Sequence, residues 1–328
     1  MTSLLTIEGL KTYFYQKKSV VPAVDGVDFR INKGETVALV GESGCGKSMT
    51  SLSIMRLVPE PGGKIIEGSI RLEDSDLCKL SEEEMCKIRG KEISMIFQEP
   101  MTSLNPVLTI GEQLIEVITY HEGLSRSSAT KEAIKLLKMV GFSRAEEMIY
   151  DYPHRLSGGM RQRVMIAMAM SCNPKLLIAD EPTTALDVTT QAQIMELLKD
   201  LTRKFDTSIL LITHDLGVVS ELAERVIVMY AGEIVEEAPV EELFDNAYHP
   251  YTEGLINSVP LLNRKVDRLH SIDGSVPTPD ALPRGCRFAP RCQKAFDRCR
   301  EEKPQLKPLS TMRSVRCFHY EGNWEERK

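Results

Sequence analysis

The sequence predicts an α/β fold with a mixed, mostly parallel sheet, and three observations predict it. A short apolar run at 36–40 enters a glycine-rich loop at 41–48 and leaves it with helical spacing at about 47–57. Further runs at 92–97, 176–179, 208–213 and 225–230 have the length of strands. Amphipathic patterns of helical period, such as 191–205, lie between them. Strand and helix in alternation build parallel sheets, because a crossover must carry the chain back to the same edge.

The remaining segments follow in order. Residues 2–10 and 26–31 alternate apolar and polar side chains, as half-buried strands do. Proline and glycine at 58–63 break the first helix. Residues 110–120 and 129–140 carry apolar side chains at helical spacing, so the stretch between Gln98 and Ser157 is expected to be a helical insertion. The helix through 164–170 stops at Asn173-Pro174. Past about Pro260 the composition changes: prolines gather at 277, 279, 283, 290, 304 and 308 beside four of the eight cysteines. This end is expected to be a small, loop-rich appendage held by something other than a large core. The acidic run 82–84 and the charged end 325–328 read as solvated surface.

The bulk numbers set limits. Hydrophobic residues make up 42% of the 328 residues and charged residues 27%, which suits a sizeable core under an ordinary surface. A net charge of −6 argues against a nucleic-acid partner, which requires a broad basic face. No apolar run approaches the roughly 18 residues a bilayer span needs. Residues 1–10 have no basic start and include Glu8, so no export signal is expected, and any membrane role needs partner chains. Cys45, Cys78, Cys86 and Cys172 are scattered, whereas Cys286, Cys292, Cys299 and Cys317 crowd the end, which favours a metal site over a disulfide framework.

Three motifs carry chemistry. Residues 41–48, GESGCGKS, fit the spacing of a phosphate loop. Gly41, Gly44 and Gly46 let the backbone wrap its N–H groups inward, with Ser43 and Cys45 between them, and the helix start through Lys47, Ser48 and Met49 adds positive potential. Lys47 is expected to neutralise the outer phosphates and Ser48 to ligate Mg²⁺. A helix start also lowers a thiol pKa, so Cys45 is expected to be reactive and shielded by ATP. Residues 176–181, LLIADE, are a buried strand that ends in Asp180, suited to Mg²⁺ and its waters, and Glu181, suited to polarising a water. Residues 156–160, LSGGM, place Ser157, Gly158 and Gly159 at a second helix start, a second anion-binding terminus.

Two phosphate-recognising ends in one chain resemble the nucleotide-binding subunits of ABC transporters, whose fold is the P-loop NTPase ABC cassette. The family signature usually ends in glutamine; here Met160 takes that place, after the residues that meet phosphate. The resemblance covers roughly residues 4–260 and implies further roles. Gln98 matches the glutamine that reaches Mg²⁺ and senses the membrane partner. Residues 184–187, TALD, are similar to the loop that ends in Asp187. His214 matches the histidine that contacts the γ-phosphate, and Phe14 the aromatic that stacks on adenine, with Tyr13 as runner-up. It implies residues 1–260 as a nucleotide-binding domain, with a helical subdomain at about 99–160, and 261–328 as a C-terminal extension.

A closer resemblance is to the dipeptide and oligopeptide permease branch. It rests on residues 95–106 (MIFQEPMTSLNP), 179–197 and 249–252 (HPYT), and on RGCRF at 284–288 with Arg291-Cys292. It implies an ATPase powering import of di- or oligopeptides, with nickel and other small-solute importers as the alternative. A non-transport ABC ATPase fits less well, because the insertion is too short for a coiled coil and only one cassette is present. The implied partners are a second ATPase subunit, in a heterodimer, two transmembrane permease subunits and an extracytoplasmic peptide-binding protein, at the cytoplasmic face of the membrane. The cysteine spacing C-x5-C-x6-C-x17-C suits either Zn²⁺ or a [4Fe–4S] cluster, and the permease resemblance implies the cluster, in a structural role.

Overall fold

The structure, a computed structural model, describes residues 2–17, 19–98, 103–184, 186–258, 271–278 and 281–321. Residues 99–102 of the permease-like run, Ala185, the composition change at Pro260, Pro279 and the charged end 325–328 lie outside them. Contacts divide the chain into two interleaved units, one of residues 1–4, 31–35 and 79–211, the other of 5–30, 36–78 and 212–328.

In the first unit β6 (Ile93–Ile96) runs parallel to β7 (Leu176–Asp180), pairing Ile93 with Leu176 and Ile96 with Ala179. The other neighbour of β7 is β8 (Ser208–Thr213). All three strands are buried along their whole length, which is why they read as continuous apolar runs. Between β6 and β7 the described residues are mostly helical, as expected. The helix Ile110–Glu122 starts on a capping box of Thr109 and Glu112 and stops at Gly123 in the left-handed conformation. The helix Arg126–Met139 starts on Ser125, and Gly158–Ala169 on Ser157. The amphipathic Val188–Phe205 begins three residues earlier than its periodicity suggests, because Asp187 caps it.

The second unit holds two sheets. One is antiparallel in the order β2 (Val20–Asn32), β1 (Ser3–Tyr15), β4 (Gly63–Leu72), β5 (Ser75–Asp76). In the other, β3 (Thr36–Val40) runs parallel to β9 (Arg225–Tyr230), and β10 (Glu233–Pro239) folds back antiparallel on β9. β1 and β2 are longer than the alternation at 2–10 and 26–31 suggests. β4 was not expected at all, because its alternation is broken by Gly68 and charged residues, and its pairing with β1 supplies the order.

The described end of the chain is loop-rich, but it also extends the second sheet. β12 (Arg313–Val315) pairs with β10, and β11 (Lys307–Ser310) with β12. This end holds a small apolar cluster of Ala289, Cys299 and Phe318, and its buried Phe288 joins the larger core with Tyr230 and Tyr251. Buried charge does much of the fastening. Glu236, fully buried, accepts from the N–H groups of Tyr248 (2.8 Å) and His249 (2.8 Å) and from Arg313 (3.1 Å). Removing one member of such a buried pair costs about 3–5 kcal/mol. No helix among the described residues is long and apolar enough to cross a membrane.

Candidate functional site

The phosphate loop lies in the second unit, between β3 and the helix Lys47–Ile54. Gly41 has φ 153° and Gly46 φ 105°. A Cβ on Gly41 would stand 2.2 Å from the Met229 carbonyl oxygen, and one on Gly46 2.4 Å from that of Ala23, so glycine alone permits the turn. Gly46 caps the helix without a side chain, and its first turn carries no acid to offset the positive end of the dipole. Ser43 and Gly44 are exposed, and Ser48 and Met49 are half-buried in the first turn. Lys47 is buried; its Nζ donates to the carbonyl oxygens of Gly41 (2.7 Å) and Glu42 (3.0 Å), which curls the ammonium over the loop.

Cys45 departs from expectation. Its side chain is 1% exposed, and burial raises its thiol pKa although Lys47 lies beside it. The helix start faces outward while the thiol turns inward, so desolvation outweighs the dipole. The expectation of a reactive thiol is therefore corrected: the Cys45 side chain is buried, with its Sγ beside the Lys47 ammonium at 3.8 Å.

Two further expected residues lie in the same unit. His214 is exposed directly after β8, and Asp215 caps the helix Leu216–Leu222 behind it. Phe14, on β1, is half-buried against Gly63. Its neighbour Tyr13 has its hydroxyl committed, donating to Asp25 at 2.7 Å, and burial and that bond raise its pKa. Of the two aromatics, Phe14 is the one with a ring not tied by a polar end.

The first unit gathers the acids. Asp180, 3% exposed, ends β7. Glu181 follows with φ 46°, a left-handed conformation that costs a non-glycine residue about 1 kcal/mol and turns its carboxylate out of the strand direction. That carboxylate accepts from Gln98 Nε2 at 3.0 Å and from Thr184 Oγ1 at 2.9 Å. The structure thus joins Gln98 and Glu181 across 83 residues of sequence. Thr184 opens the 184–187 loop, and nothing in its spacing signals the bond to Glu181.

At the second helix start, Ser157 Oγ accepts from the Met160 N–H at 3.3 Å. Met160 contributes its backbone there, so the departure from glutamine leaves the cap intact. A Cβ on Gly159 would stand 2.7 Å from Thr190 Cγ2, and Gly158 faces Leu186. Asp187 holds Thr190 through its N–H (3.0 Å) and hydroxyl (2.7 Å), and these bonds lower the Asp187 pKa. Asp187 therefore sets the rotamer against which Gly159 packs.

The four clustered cysteines converge in the second unit. Cys286, Cys292, Cys299 and Cys317 line one small cavity together with Phe288 and Phe318. Burial raises the thiols of Cys286 to about 11 and of Cys317 to about 12, and also raises Cys292, with repulsion among the thiolates adding to each. Among the described residues, no group of three or more His, Cys, Asp or Glu side chains is arranged to hold a metal ion.

This geometry can be set beside known proteins. Residues 24–184 match the ABC transporter family and residues 235–299 the oligopeptide/dipeptide transporter C-terminal region. The oligopeptide transport ATP-binding protein AppD of Bacillus subtilis is 66% identical over 326 residues, 99% of each chain. The chain belongs to the ABC transporter ATPase family. The dipeptide transport ATP-binding protein DppD of B. subtilis is 49% identical, over 97% of this chain and 95% of that protein. Among solved structures, the dimeric post-hydrolysis ATP-binding cassette MJ0796 with ADP and Pi is 32% identical at a TM-score of 0.65, covering 72% of this chain and 98% of that one. The ABC cassette fold, a mixed and mostly parallel α/β sheet with a helical insertion, is thereby established, and with it ATP as the substrate hydrolysed with Mg²⁺.

Proposed function

We propose that this ABC ATPase powers import of di- and oligopeptides through a membrane transporter, working as one of two ATPase subunits at the cytoplasmic face. The observation that carries the cargo is the joint match to a cassette and to the oligopeptide/dipeptide C-terminal region in one chain, over the full length of the peptide-transport relatives. In this reading residues 1–260 are the nucleotide-binding domain, 99–160 its helical subdomain and 261–328 the extension. The partners are a second ATPase, two permease subunits and an extracytoplasmic peptide-binding protein.

The residue roles follow from charge. Phe14 stacks on adenine. The loop from Gly41 to Met49 holds the phosphates, and Lys47 swings from its two carbonyls onto the outer phosphates. Ser48 and Gln98 would ligate Mg²⁺, with Asp180 supporting its waters; the ion supplies positive charge to the departing phosphate. Glu181 orients and polarises the attacking water, and His214 holds the γ-phosphate. The triphosphate needs more positive potential than one loop supplies, so the Ser157–Gly158–Gly159 helix start of a partner subunit closes on it, with Asp187 at the seam. ATP joins the subunits, and hydrolysis releases them.

The four cysteines are proposed to hold a [4Fe–4S] cluster in a structural role. What supports this reading is that the four thiols line one cavity, with Zn²⁺ as the alternative occupant. The transport reading is tested by peptide uptake in cells carrying the intact transporter. Uptake of a labelled oligopeptide is expected to be lost with the Glu181→Gln subunit; uptake that survives, or nickel uptake lost in its place, overturns the reading.

A further inference from the structure

Glu42 puts a carboxylate in the second position of a loop that must receive a triphosphate. Two elements remote in sequence hold it. Tyr251, fully buried at the start of the helix Pro250–Asn257, accepts from the Glu42 N–H at 2.8 Å, across 209 residues. Arg291, 249 residues away, closes a fork on the carboxylate: Nη1 to Oε2 at 2.6 Å and Nη2 to Oε1 at 3.1 Å. The Arg291 side chain is 4% exposed and is fixed from behind, Nε donating to the Asp273 carbonyl at 2.9 Å and Nη2 to that of Ile272 at 3.3 Å. On the loop side, the Glu42 carbonyl is one of the two that hold the Lys47 ammonium.

We infer that Arg291 is a positioning residue of the ATP site: it neutralises the Glu42 carboxylate and holds it away from the loop's mouth, while Tyr251 holds the Glu42 N–H, so that the loop and Lys47 meet the triphosphate without an opposing charge. The arrangement is specific in two ways. A planar guanidinium matches both carboxylate oxygens at once, which an ammonium does not. Arg291 is buried while the Glu42 side chain is 31% exposed, so the pair is only partly screened by salt, and losing the guanidinium leaves a carboxylate that still opposes the phosphates. The inference holds whatever the four cysteines bind.

The test uses the full-length protein and four forms: wild type, Arg291→Ala, Glu42→Gln and the double variant. Affinity is read from fluorescence of N-methylanthraniloyl-ATP with Mg²⁺, and KM and kcat from phosphate release. Arg291→Ala is expected to weaken binding and raise KM about tenfold or more, with kcat altered less than about threefold. Adding Glu42→Gln to Arg291→Ala is expected to bring affinity back to that of Glu42→Gln alone, because the repelling charge is gone. An arginine that merely braces the chain end gives no such rescue. Wild-type affinity in Arg291→Ala, or a double variant as weak as Arg291→Ala, overturns the inference. Should Arg291→Ala fail to fold, Arg291→Gln with and without Glu42→Gln is read in the same way.

Discussion

Glu181 shows how much chemistry one backbone angle can settle. Its left-handed φ carries the carboxylate from the line of β7 to Gln98 and Thr184, where a water-orienting base would be held in one pose. Glu181→Gln keeps the shape and removes the base. ATP binding is expected to be preserved, and single-turnover hydrolysis to slow at least about a hundredfold. Cys45 gives the opposite lesson. Its raised pKa keeps it a thiol, and only the thiolate reacts, so raising the pH increases its reactivity only above the ordinary thiol range. Iodoacetamide at pH 8 is expected to label exposed Cys86 long before Cys45, with or without ATP, as read by peptide mass mapping.

At the scale of elements, the second helix start is a packed joint. Gly158–Ala169 approaches Val188–Phe205 through Gly159 and Thr190, and Asp187 pins the threonine from both its N–H and its hydroxyl. A methyl at Gly159 must push a side chain that cannot swing away. Gly159→Ala is expected to cost about 1–3 kcal/mol of stability by overpacking. It should also weaken ATP-driven pairing of Glu181→Gln subunits, measured by sedimentation, about tenfold or more. The chain end obeys a different rule. Beside Phe288, which packs into the larger core, and its own small apolar cluster, it relies on β-pairing to β10 and on arginines buried against acids.

At the scale of the whole molecule, the cysteine cavity carries the remaining prediction. Anaerobically purified protein is expected to contain about four irons and four sulfides per chain and to absorb near 400 nm. Cys299→Ser should lower the iron content, and zinc in place of iron would sink the cluster proposal. The molecule also explains which parts of its own site are visible in advance. The phosphate loop, the acid pair and the serine-glycine helix start each lie within a few consecutive residues. Their chemistry is local backbone chemistry, a turn or a helix end, so the residue string states it directly. Arg291 on Glu42, Tyr251 on the Glu42 N–H and Thr184 on Glu181 have no such string, because they depend on where the chain returns in space.

The sequence by itself determined the cassette fold and the family, because glycine placement, strand-length apolar runs and terminal acids are properties of short segments. Only the tertiary structure decided that Cys45 faces inward, that the chain end extends a sheet, and that Arg291 forks onto the Glu42 carboxylate. Burial and long-range charge pairing are set by packing, and a linear pattern does not contain them.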